Sequence, residues 1–100
     1  MEFQLPKDVQ RKLEKDFGSL WKESQDQLRE LVIRHKLYQS PRILRAIVFI
    51  AKGDQKRLKS AIKLAQIDWR DLLMEAEYTY QGQGKPPQQV RDFNLPFDAE

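Results

Sequence analysis

Apolar residues recur along the first third of the chain at Val9, Leu13, Phe17, Leu20, Leu28 and Leu31. His35 continues the series, and Ser24 stands at the one step where an apolar residue is missing. Spacings of three and four put these positions on a single helical stripe. The stripe keeps its phase across Gly18-Ser19. That predicts one long amphipathic helix over residues 6–38, kinked at this pair, with Pro6 in a first turn that needs no amide donor. A break at Gly18, with Ser19 as N-cap and the first piece folded back, is the competing reading.

The pattern then changes. Ser40-Pro41 is a cap followed by a first-turn proline. Ile43, Leu44, Ala46, Ile47, Val48, Ile50 and Ala51 are apolar almost all round, as expected of a buried central helix over 41–52. A strand over 47–51 competes, since short apolar runs are ambiguous. Gly53 reads as a left-handed helix end and Asp54 as the cap of a helix over 55–66. That helix turns Leu58, Ala61, Ile62 and Ala65 inward and Lys56, Lys59 and Lys63 outward. Asp68 reads as the cap of a last helix over 69–80. Its face is Trp69, Leu72, Leu73, Ala76 and Tyr80, and Asp71 sits where the helix dipole favours acid.

From Gln81 the stretch QGQGKPPQQ cannot continue a helix. Apolar residues return in VRDFNLPF. The expected organisation is a helical domain over 1–80 and an extended tail over 81–100, docked at 90–97 through Phe93, Leu95 or Phe97. A flexible tail that orders on a partner is the alternative. The expected fold is all-α: a long N-terminal amphipathic helix, a buried central helix and two short capped helices, four to five in all, with an extended C-terminal tail.

Residues 41–78 resemble a pattern found in short bacterial helical proteins of unknown function. The resemblance rests on the run from Arg42 to Ala51, the Lys52-Gly53-Asp54 turn, and the Asp68-Trp69-Arg70-Asp71 helix start with Ala76-Glu77-Tyr78. It implies a helical fold and no particular activity.

One hundred residues suffice for one domain with a modest core. The absence of cysteine excludes a disulfide framework, thiolate catalysis and Cys-based metal sites. The longest apolar run, 46–51, is far short of a membrane span, and the N-terminus does not read as a signal peptide. A cytoplasmic protein is expected. The net charge of +3 is segmental: residues 1–35 are balanced, 36–70 carry +7 and 71–100 carry −4.

Candidate chemistry is sparse. His35 lacks a nucleophile motif and a second metal ligand, so a packed core or rim histidine is the expected role. Asp68, Asp71 and Glu75 are explained as caps and solvated acids. Glu77 lies beside the inner face and is expected to form a structural ion pair, with Arg70 or with a basic residue on a neighbouring helix. QGQGKPP lacks the context of a phosphate loop. No catalytic residue, metal or cofactor is therefore expected.

Two surfaces remain. Arg42, Arg45, Phe49 and Lys52, followed by Lys56, Arg57, Lys59 and Lys63, offer a basic side that suits nucleic acid or another anionic partner, with Phe49 able to stack on a base. Val9, Leu13, Phe17 and Leu20 lie on the half of a long first helix that would project beyond the domain, where self-association would cover them. The leading expectation is a non-enzymatic protein-interaction module, homodimeric through the N-terminal helix, and the alternative is the anionic-partner binder. The exposure of Phe49 separates them.

Overall fold

The computed structural model describes residues 5–34 and 40–97. Both His35 and the expected end of the first helix at 38 lie outside them. Helix α1 is Lys7–Phe17; a 3-10 turn, Gly18–Leu20, leads directly into α2, Trp21–Arg34. Helix α3 is Pro41–Ala51 and α4 is Gln55–Glu77. Two short strands follow, β1 at Tyr78–Thr79 and β2 at Gln88–Gln89.

The chain is mostly helical, but the expected count of four to five helices is wrong. Among the described residues there are three helical spans: 7–34, 41–51 and 55–77. The expected helices at 55–66 and 69–80 are one, bent at Asp68 (φ −155°, ψ 93°). No loop separates the halves. The Asp68 carboxylate accepts the amides of Arg70 at 3.0 Å and Asp71 at 3.3 Å, so the next turn is capped by the bend residue itself. The span stops at Glu77, short of 80, because Tyr78 and Thr79 turn extended and pair antiparallel with Gln89 and Gln88. The tail is thus partly a small sheet.

The first span is not a straight rod. Gly18 has φ +54° and ψ −123°, a conformation that side chains disfavour, and the direction changes there. Helix α1 lies along α3, with Asp8 against Arg45 and the Asp16 carbonyl against Gly53. Helix α2 lies along the first half of α4, where Gln27 donates to Gln55 at 2.7 Å and Gln55 donates to Ser24 at 2.6 Å. Ser24 also donates to the Leu20 carbonyl at 3.0 Å. A fully buried serine in the apolar stripe is therefore satisfied.

The core is continuous. Val9, Leu13, Leu28, Leu44, Ile47, Leu58 and Leu72 are all fully buried, and α3 supplies its centre. Ala46, Ala51, Ala61, Ala65 and Ala76 are buried with them, and their small side chains let the helices approach closely. The α3–α4 turn is built from Lys52 (φ +49°) and Gly53 (φ +77°). Asp54 then caps α4 by accepting from Lys56 and Arg57 at 2.8 and 3.3 Å.

Candidate functional site

Two of the eight residues expected on the basic side are structural. Arg42 donates to both oxygens of Glu77, Nε to Oε2 at 2.9 Å and Nη2 to Oε1 at 2.5 Å. Arg45 is buried and donates Nε and Nη2 to Asp8 at 2.8 and 3.2 Å. A guanidinium held bidentate by a carboxylate has little left for a partner. The site expected from the sequence is corrected at both positions, because their partners come from α1 and from the far end of α4.

Both ion pairs also hold the C-terminal segment. The Phe93 amide donates to Glu77 Oε2 at 2.9 Å, and the Phe93 carbonyl accepts from Arg45 Nη1 at 2.9 Å. The Phe97 amide donates to Asp8 Oδ2 at 3.1 Å. The amides of Val90 and Arg91 donate to the Glu77 carbonyl at 2.8 and 3.2 Å. Phe93 is buried, Phe97 half-buried and Leu95 exposed.

Charge in the clamp follows from these contacts. Burial works to raise the Asp8 pKa, but the hydrogen bond from Arg45, the Phe97 amide and the Arg45 charge together hold it below the ordinary carboxylate value. Glu77 behaves alike: burial opposes ionisation, and Arg42 and the Phe93 amide outweigh it, leaving its pKa lowered. Arg42 is raised, chiefly by its hydrogen bond to Glu77.

Phe49 is half-buried and covered on two sides. The Phe93 ring lies 5.3 Å away at 49°, and the Arg91 guanidinium sits 4.5 Å from the ring centroid. These contacts take up part of the ring that stacking on a base would use, and the remainder lines a groove.

That groove has a volume of about 430 Å³ and runs between α3 and α4. Phe49, Ile50, Ala61 and Leu64 form its apolar floor; Lys52, Lys56, Arg57, Ser60 and Glu75 form its rim. Phe49 and Lys52 also line an adjoining hollow with Lys12, Lys15 and Asp16 of α1. The two depressions thus share a wall and make one basic face. Lys12 is the least available of its cations, lying 3.3 Å from Asp16 and over the Phe97 ring.

Lys59 and Lys63 do not belong to this face. They line a separate groove of about 440 Å³ with Gln27, Glu30, Leu31, Arg34, Ile62 and Gln66. The basic side read from the sequence therefore divides three ways: Arg42 and Arg45 held in ion pairs, Lys59 and Lys63 toward α2, and Phe49, Lys52, Lys56 and Arg57 in the groove. Lys12 and Lys15 are the members that sequence reasoning missed. Their spacing marks them only as solvated residues off the apolar stripe, and the packing of α1 against α3 sets them beside Lys52.

The projecting stripe is also corrected. Val9, Leu13 and Phe17 are buried within the single chain, and of the four residues assigned to self-association only Leu20 is exposed. Folding the first piece against α3 covers the rest.

Among the described residues no group of three or more His, Cys, Asp or Glu side chains is placed to hold a metal ion. None of their helices is long and apolar enough to cross a membrane. Comparison with known proteins finds no matching family model, no matching curated protein and no matching solved structure.

Proposed function

We propose that this chain is a non-enzymatic binding module that holds an anionic partner on the basic face of α1, the α3–α4 turn and α4. One observation carries the reading: Lys12, Lys15, Lys52, Lys56 and Arg57 converge from three elements on two depressions that share Phe49 and Lys52. Only Asp16 and Glu75 bring negative charge to their lining. Clustered cations over a concave surface concentrate an anionic partner and speed its encounter. Most of these side chains are exposed and so remain free to meet it.

Charge reversal tests this. The triple variant K52E/K56E/R57E is expected to weaken binding of polyglutamate to the full chain by more than about tenfold, or 1.4 kcal/mol. K59E/K63E, on the separate groove, is expected to weaken it much less. Equal losses in both variants count against a localised site.

A further inference from the structure

We propose that the partner is a protein, and that the part of it that docks is an acidic amphipathic helix seated between α3 and α4. This rests on the anionic-partner reading above and specifies its ligand.

The shape of the charge decides the class. A surface that grips only phosphates needs cations and no apolar floor, since the phosphate backbone is the dominant contact. Here the cations form a rim, and what they surround is apolar: Phe49, Ile50, Ala61 and Leu64. The floor is not fully covered by the chain, because Phe49, Ile50 and Leu64 are half-buried. Single-stranded nucleic acid uses exposed aromatics as stacking platforms. The one aromatic in this groove has Phe93 at 5.3 Å and Arg91 at 4.5 Å, which leaves no open ring face on those sides.

An amphipathic helix presents apolar side chains at i, i+3, i+4 and i+7 and can carry acids on its flanks. Its apolar stripe matches the floor, and its flanking carboxylates match Lys52, Lys56 and Arg57. Lys15 of α1, which lines the adjoining hollow with Lys52, extends the positive rim toward α1.

The test is a titration of the full chain, at low salt, with three probes. One is a designed peptide with Leu and Phe at helical spacing and Glu elsewhere. The second is a scrambled peptide of identical composition, and the third is an oligo-dT strand. The amphipathic peptide is expected to bind at least about tenfold more tightly than its scramble and to shift the methyl resonances of Ile50, Ala61 and Leu64. The variant Leu64→Gln is expected to bring the affinity for the amphipathic peptide down to that of its scramble. If that variant folds poorly, the methyl shifts in the unaltered chain decide whether the peptide sits in this groove. Equal affinity for the two peptides, or tighter binding of oligo-dT than of either, overturns the helix proposal and leaves the anionic reading standing. No binding of any probe overturns both.

Discussion

The buried carboxylate of Glu77 accepts the backbone amide of Phe93 at 2.9 Å while its other oxygen is held by Arg42. One side chain at the end of α4 thus joins α3 to the C-terminal segment. The arrangement is costly unless every lone pair is used, because a buried charge left unpaired is strongly destabilising. Glu77→Gln removes the charge, leaves Arg42 without its counter-ion and turns one of the two acceptor oxygens into a donor, facing either Arg42 or the Phe93 amide, which are themselves donors. The expected loss is about 2–4 kcal/mol, toward the lower end for a buried pair because Arg42 is partly exposed. Urea unfolding measures it, with Glu75→Gln as the near-neutral comparison.

Acid should loosen the same clamp. Asp8 and Glu77 have native pKa values below their ordinary 3.8 and 4.5. A carboxylate depressed in the folded state contributes stability that is present above its unfolded pKa. That stability is lost as pH falls through the lower, folded one. The free energy of unfolding is therefore expected to decline below about pH 4.5 as protons bind first to the unfolded chain. Urea midpoints measured from neutral pH downward give the slope, and the double variant D8N/E77Q is expected to flatten it. An unchanged slope in that variant would place the acid sensitivity elsewhere.

Phe93 is the main apolar anchor of the C-terminal segment, packed between Phe49 at 5.3 Å and Phe97 at 5.6 Å. Phe93→Ala is expected to cost about 3 kcal/mol. It should also make the exposed stretch 80–92 and the segment beyond it the first site of proteolysis. Leu95→Ala, at an exposed position, is expected to change neither quantity by much. Limited proteolysis with mass analysis of the fragments distinguishes the two.

Gly18 and Gly53 separate two reasons for needing glycine. Both have positive φ, but a Cβ on Gly18 meets nothing within 4 Å, whereas one on Gly53 would overlap the Asp16 carbonyl. Gly18→Ala should therefore cost only the backbone strain, about 1 kcal/mol. Gly53→Ala is expected to cost about twice that or more, since α1 must also move from the turn. Thermal unfolding of the pair checks the difference.

The sequence reads well where side chains decide structure locally. The apolar stripe of the first helix groups Val9, Leu13, Phe17, Leu28 and Leu31 on one face, and all five are buried, although Leu20 of the same stripe is exposed and the first half was expected to project. Asp54 and Asp68 cap where a short acid precedes a helical turn. The glycine at 18 marks the place of the bend, but not the fold-back, because both arms turn the same stripe toward one core and periodicity is preserved across a change of direction. The ion pairs were only half legible. Glu77 reads as a residue needing a cation, but Arg42 is 35 positions away and Asp8 is 37 positions from Arg45. Nothing in local spacing says which arginines pair with distant carboxylates, nor that Lys12 and Lys15 of α1 lie beside Lys52.

The salt dependence of polyanion binding by the intact chain tests the basic face most directly. Affinity for polyglutamate is expected to fall steeply as salt is raised from roughly 50 to 200 mM, as ion release requires. The slope should become shallower in K52E/K56E/R57E and stay nearly unchanged in K59E/K63E. No measurable binding at the lowest salt, where electrostatic attraction is strongest, would contradict the proposed function.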